Sequence, residues 1–390
     1  MIDLKDYFDP VGIESPEYSF LTGQSVFSHS ITINTENTPI TEIGKYKIVM
    51  FGVTESRNSI NTGACEAPDA VRAQLYRLAK IPGKQKIADL GNMKSGISFN
   101  DTVAGLTDIL VALMGKNIFP IIIGGSSSVA PAIDKAFALL KHQYTLTAID
   151  SRIDYCHEKQ EHNSFNYLNA IVNNPKNALG HYINIGYQTY LNDQQVINRF
   201  LKRKSELIRI GDVRQSIHLT EPLLRDSDAV VLDISAVRQS DAPGTMLPSP
   251  NGFYGEEICL LARYSGISDN LKLFSLFEIN PNFDIRNQTS ALAAQIIWFF
   301  IEGFAQKQHE TPEPAGQNSS GRFTKYHVQV SGIDDNLIFI KSNLTERWWL
   351  ELSDNEGKTT HIACSHDDYL NAKRNELPDR WVKAMERLNF

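Results

Sequence analysis

The chain has 390 residues, 42% of them hydrophobic and 21% charged, with a formal net charge of −7. That length accommodates one large domain and a small one, and the acidic balance excludes a general nucleic-acid binder, which carries a basic face. The opening MIDLKDYFDPVGIE has acids where a signal peptide needs an apolar run. The longest apolar stretches, at 119–123 and 296–301, fall far short of a bilayer span, so a cytoplasmic protein without membrane insertion is expected.

Short apolar, β-branched runs recur along the chain at 47–53, 119–125, 144–150, 182–186, 207–211, 229–233 and 272–278. Their hydrophobicity is continuous rather than alternating, which predicts strands covered on both faces. Segments of helical period lie between them, at 67–80, 101–115, 129–141, 192–204, 255–265 and 290–306. The second opens on Asn100/Asp101, read as its N-cap. Strand–helix alternation of this kind is an α/β fold, a parallel sheet flanked by helices on both faces. Chemistry in such sheets gathers at the carboxyl ends of the strands.

The composition changes at 307–322 (KQHETPEPAGQNSSGR), a stretch rich in Pro, Gly, Ser and charge that reads as a linker. It divides an α/β domain at 1–306 from a small α+β appendage at 323–390. Strand-like runs follow at 326–332, 336–342 and 347–353, and an amphipathic helix at 377–388 begins at Pro378. Trp348 and Trp349 sit side by side on the third run, where the expected role is core packing. The cysteines Cys65, Cys156, Cys259 and Cys364 form no CxxC pair and read as reduced, mostly buried thiols.

Five segments in order carry a resemblance. They are NTGACEAPDAVR at 61–72, FPIIIGGSSS at 119–128, AIDSRID at 148–154, VVLDISAVRQSDAPG at 230–244 and FEINP at 277–281. Together they are similar to the entry loop, GGxHS turn, AxDAHxD strand end, DxDxxDPxxAPG segment and EVNP segment of the arginase/ureohydrolase superfamily. The similarity runs over roughly residues 45–305 and implies the three-layer arginase-like sandwich. The family binds two divalent metals, usually manganese, through two histidines and four aspartates, and a bridging hydroxide attacks an amidine carbon.

Read residue by residue, the resemblance places Asp150, Asp154 and Asp233 at ligand positions. It places Ser127 and Arg152 where the imidazoles belong, Ser235 where the fourth aspartate belongs, and Arg238 at the aspartate of the DP step that follows. Three of six ligands remain. An arginine stays protonated and has no lone pair for a metal. A fixed charge there repels a neighbouring cation by roughly 1–4 kcal/mol at about 4 Å. The expected arrangement is charge for charge: Arg152, with Arg238, sits among the three aspartates in bidentate pairs, and no metal is bound. A single ion on the same three carboxylates, Mn2+ or Mg2+, is the other possibility.

Glu278 is the counterpart of the glutamate that faces the cationic group of the substrate, with an ion pair to one of the arginines as its simpler role. His162, and His157 before it, stand in a loop (EHNSFNY) loosely like the one that places substrate in this family. Candidate catalytic groups are therefore Asp154, His162 and Glu278. Ser126–Ser128 follow a Gly–Gly pair and read as a helix N-cap, with anion binding as the alternative.

The leading reading is a ureohydrolase relative that hydrolyses nothing and serves as a binding or assembly subunit, with a protein or a small cationic metabolite as partner. The alternative is a formimidoylglutamase-like hydrolase of linear amidines with an altered metal site, and a regulator that senses a cationic metabolite is a third. The resemblance also implies a homo-oligomer, a trimer or hexamer.

Overall fold

Seven of the strands correspond to the apolar runs read from the sequence. In the computed structural model, residues 4–12, 21, 23–312, 321–333, 335–353 and 359–388 are described. The strands are β1 (Phe8–Asp9), β2 (Thr32–Ile33), β3 (Ile48–Val53), β4 (Ile87–Met93), β5 (Phe119–Gly124), β6 (Tyr144–Ile149), β7 (Leu179–Tyr187), β8 (Glu206–Arg209), β9 (Ala229–Asp233) and β10 (Leu273–Phe277). They pair in the order β1-β4-β3-β5-β10-β9-β6-β7-β8, with β2 also on β4. Every pairing is parallel except that of β1 with β4.

The helices are α1 (Ala67–Leu75), α2 (Phe99–Met114), α3 (Pro131–Leu139), α4 (Tyr167–Val172), α5 (Gln194–Lys202), α6 (Ile210–Gln215), α7 (Thr220–Arg225), α8 (Gly255–Gly266) and α9 (Gln288–Ala305). Two large apolar clusters, one on each face of the sheet, account for the unbroken hydrophobicity of the central strands. Val49, Phe51 and Ile122 pack to one side, and Ile48, Met50, Ile121 and Ile123 to the other. No described helix is long and apolar enough to cross a membrane.

Three expectations need correction. β4 lacks the apolar signature because its sequence, IADLGNM, carries a buried Asp89 that Arg72 of α1 holds through Nε at 2.9 Å. The run at 207–211 ends as a strand at Arg209, and the chain turns at once into α6. The cap of α2 is Ser98, whose hydroxyl accepts from the Asp101 amide while the Asp101 carboxylate accepts from the Ser98 amide, so Asp101 closes a capping box from inside the helix.

The C-terminal strands β11 (Phe323–Val328), β12 (Leu337–Ser342), β13 (Trp348–Ser353) and β14 (Thr359–Cys364) form a separate antiparallel meander, followed by α10 (His366–Lys373) and α11 (Asp379–Leu388). The first strand begins three residues before the run read from sequence, and β14 and α10 were not anticipated. Trp348 and Trp349 face opposite sides, as strand neighbours must. Trp348 joins the meander's own core, and Trp349 packs with Ile340 and Ala363 on its other face. Residues 313–320 of the expected linker lie outside the described residues. Before them, Glu310 is buried and its carboxylate accepts from the Ser342 hydroxyl at 2.7 Å, so this part of the linker is pinned to β12.

Candidate functional site

Four strands that are neighbours in the sheet, β5, β10, β9 and β6, end together, and each delivers one polar group to the same edge. β6 runs into Asp150, β9 ends on Asp233, β10 runs into Glu278, and β5 runs into the Gly124–Gly125–Ser126 turn. That turn needs glycine for space: a Cβ on Gly125 would stand 2.3 Å from the Glu55 carbonyl oxygen. The loop after β6 folds back and adds Asp154.

Asp150, Asp154 and Asp233 are each 4% exposed or less. One carboxylate oxygen from each lies within 4.8 Å of the others, the only such group of His, Cys, Asp or Glu among the described residues. Asp150 accepts from the Arg152 amide at 2.9 Å and Asp233 from the Ser235 amide at 2.7 Å, so each carboxylate is turned by its own loop. The Arg152 guanidinium lies against the Phe165 ring, 4.8 Å from its centroid, and its Nε stands 3.9 Å from Asp154 Oδ1. This is an ion pair without a hydrogen bond: Arg152 Nε, Asp154 Oδ1 and Ser235 Oγ are all buried with no partner among the described residues. The expected bidentate pairing is not formed.

Burial, reinforced by Asp154 and Asp233, pushes Asp150 well above the ordinary carboxylate range. Burial also raises Asp154 to about 7, against the pull of Arg152, and it raises Asp233. Burial works to discharge Arg152, and Asp154, Asp150, Asp233 and Glu278 more than offset it. One guanidinium thus faces four buried carboxylates. Burial first, and the mutual repulsion of the carboxylates second, favour the protonated forms in this cluster.

Glu278 adopts φ = 66°, the left-handed region that costs a non-glycine residue of order 1 kcal/mol or more. Its carboxylate is held from two sides. Asn61 Nδ2 donates at 2.9 Å, and Ser127 donates through its amide at 2.8 Å and its hydroxyl at 3.2 Å. Asn61 is fixed in turn by Asn280 Nδ2 at 2.6 Å. Burial, then Asp233, raises the Glu278 carboxyl to about 7. The expected ion pair with an arginine is therefore replaced by amide and hydroxyl donors. The turn at Ser126–Ser128 acts as the expected cap, with the Ser126 hydroxyl accepting from the Ser128 amide, and the Ser127 amide is taken up by the Glu278 carboxylate.

The remaining space is small. Arg152, Phe165, Met246 and Leu247 close over Asn61, Asp233 and Glu278, and the cavity left among them is about 10 Å³, close to the volume that admits a single water.

The Arginase family model matches residues 46–302. The chain belongs to the arginase family. It is 23% identical over 277 residues to the formimidoylglutamase of Bacillus subtilis (strain 168), covering 65% of this chain and 86% of that one. To the formimidoylglutamase of Ralstonia nicotianae it is 25% identical over 269 residues, covering 64% and 82%. The crystal structure of the Bacillus subtilis formimidoylglutamase superimposes with a TM-score of 0.65 at 20% identity, over 76% of this chain and 97% of that one. A Trypanosoma cruzi formiminoglutamase with manganese gives 0.64 at 17%, over 69% and 96%. These likenesses establish the arginase fold.

Within that fold, the donors fit one metal in part and two not at all. Three carboxylates converge, one of them with an unused oxygen, which suits a hard cation. The described histidines contribute nothing to the group, and Arg152 lies beside it. His162 is turned away: its Nε2 donates to the Ser128 carbonyl at 2.7 Å, its ring packs on Phe99, and burial lowers its pKa. It lines a separate hollow with His157. Arg238 is also elsewhere, paired with Asp241 at 2.9 Å and lying 4.0 Å over the Tyr254 ring. Asn61, Asn280 and Phe165 were missed, although all three lie inside segments quoted from the sequence. The signal was available there: a buried glutamate at the end of an apolar strand needs neutral donors when no cation reaches it.

Proposed function

We propose that this arginase-family chain is not a two-metal hydrolase, and that it uses Arg152 as the resident counter-ion of the strand-end carboxylates, serving as a binding or assembly subunit. The observation that carries this is the guanidinium of Arg152, mostly buried, 3.9 Å from Asp154 and packed on Phe165, in a site with about 10 Å³ of free space. A third sensing role for a cationic metabolite loses ground for the same reason, because Arg152 stands where such a ligand's charge needs to be. Homo-oligomer assembly, which the family resemblance implies, and a cytoplasmic setting, which the composition suggests, belong to the proposal.

A second reading has support of its own. The relatives named above are formimidoylglutamases, which speaks for hydrolysis of a linear amidine C–N bond more than for its loss. The unpartnered Asp154 Oδ1 and the 4.8 Å spacing of the three aspartates suit one Mn2+ or Mg2+ ion if Arg152 swings off. That ion would supply Lewis-acid polarisation and balance the excess carboxylates. The chain's own part would be to hold a substrate cation against Glu278, which Asn61 and Ser127 already orient.

The two readings separate in one experiment. The protein is incubated with Mn2+, desalted and assayed for metal by mass spectrometry and for formimidoylglutamate hydrolysis, beside the variant S127H/R152H/S235D. Arginine as counter-ion predicts substoichiometric metal and no turnover in the natural chain, and metal uptake in the variant. A stoichiometric ion with turnover in the natural chain would overturn it and establish the hydrolase.

A further inference from the structure

The strands β3, β5 and β10 start side by side at the end of the sheet away from the aspartates. With about 3.3 Å per residue, the length of β5 alone separates the two ends by roughly 20 Å. At this far end lies a hollow of about 570 Å³, within the size range of small-molecule pockets. Its apolar wall comes from Phe119 at the start of β5, Leu271 before β10, Met114 at the end of α2 and Phe304 at the end of α9.

The charges around it do not balance. Lys47, Lys272 and Lys307 line the hollow together with His309 and with His142, whose Nε2 already lies 3.2 Å from Asp228 Oδ1. The single carboxylate there, Asp269, is already engaged: its Oδ2 accepts from the Glu310 amide at 2.9 Å, and its Oδ1 lies 3.5 Å from His309. Among the described residues, no carboxylate comes within ion-pair distance of the three lysines. Lys307 rests on aromatic faces instead, 4.1 Å from the Phe304 centroid and 5.4 Å from that of Phe119. Burial lowers its pKa to about 8, and the Lys272 charge adds to that effect against Asp269.

Helix capping is the plainer explanation for basic groups here, because α2, α3 and α9 all end nearby and present the negative ends of their dipoles. It does not account for the arrangement. Lys47 and Lys272 precede strands, not follow helices, and the Lys307 ammonium lies over rings. A cation resting against two neighbouring phenyl rings beside a second lysine is a place for an anion whose body is apolar.

We propose that this hollow binds a small organic anion, with a carboxylate set between Lys272 and Lys307 and a flat apolar body against Phe119 and Phe304. The site is separate from the aspartate cluster and independent of the proposed function.

The probe is 1-naphthoate, titrated into the full chain by calorimetry, with 1-naphthalenemethanol as its uncharged counterpart. The expected result is one saturable site per chain that weakens with salt. Each of Lys307→Met and Lys272→Met should weaken binding about tenfold, the value of one charge-assisted hydrogen bond. Lys272 is exposed, so its variant folds even if the Lys307 variant does not. Equal binding of the alcohol, unchanged affinity in the Lys272 variant, or non-saturable uptake would each overturn the proposal.

Discussion

Asp154 sets the terms at the scale of single residues. Its carboxyl is buried, lies 3.9 Å from Arg152, its one ion-pair partner among the described residues, and keeps one oxygen without a hydrogen bond there. Its pKa in the fold, about 7, is above the unfolded value near 3.9. A carboxyl raised in this way contributes stability that is fully present below the unfolded value and is lost as pH rises through the folded one. Chelator-treated protein should therefore lose stability between about pH 4 and 7. Asp154→Asn, which has no charge to bury, should match the natural chain near pH 4 and exceed it by roughly 1–3 kcal/mol at pH 8. Urea unfolding at the two pH values reads this directly. A variant weaker than the natural chain at pH 8 would mean that the Arg152 attraction outweighs the desolvation of the carboxylate.

Elements are joined by polar groups that the hydrophobic pattern hides. Arg72 of α1 is fully buried and donates to both oxygens of Asp89 on β4, at 2.9 and 3.1 Å, and to the Gly91 carbonyl at 2.8 Å. Arg72→Met leaves Asp89 buried without its counter-ion. Such a change should cost about 3–5 kcal/mol, seen as a lower urea midpoint at unchanged slope. A loss under about 1 kcal/mol would show that Tyr76, whose hydroxyl also donates to Asp89 at 2.9 Å, carries the carboxylate alone. The same residues explain what the sequence revealed and what it concealed. The central strands were legible because both faces are apolar, so a run such as FPIIIG has only one reading. β4 was not, since Asp89, Gly91 and Asn92 interrupt its pattern and their compensation lies on another element. At the site, the strand-end positions of Asp150, Asp233 and Glu278 followed from motif order. Their partners did not: whether Arg152 pairs with a carboxylate or lies on Phe165, and whether Arg238 turns inward, depends on loop paths that no periodicity encodes.

Across the whole molecule, the question is whether the C-terminal meander is an independent passenger. The division at 307–322 read from sequence predicts separable units, and the contacts between them argue for coupling. Arg380 of α11 donates to Glu206 on β8 at 2.8 Å and to Asp226 after α7. Asp226 accepts from the Ala363 amide of β14 at 3.0 Å. Arg225, 4% exposed, reaches the Trp348 and Cys364 carbonyls at 3.0 and 3.1 Å and lies 4.5 Å over the Trp349 ring. Burial works to raise the Glu206 carboxyl, but Arg380 and His181 hold it well below the usual range, so both charges of the pair are present at neutral pH. A buried pair like this adds little net energy when intact and costs about 3–5 kcal/mol when one partner is removed. The full chain should therefore melt in one calorimetric transition. Arg380→Met should either lower that transition as a whole or split off a smaller, earlier one belonging to residues 323–390. An unaltered thermogram in the variant, or two resolved transitions in the natural chain, would mean that the meander folds without reference to the arginase-like sheet.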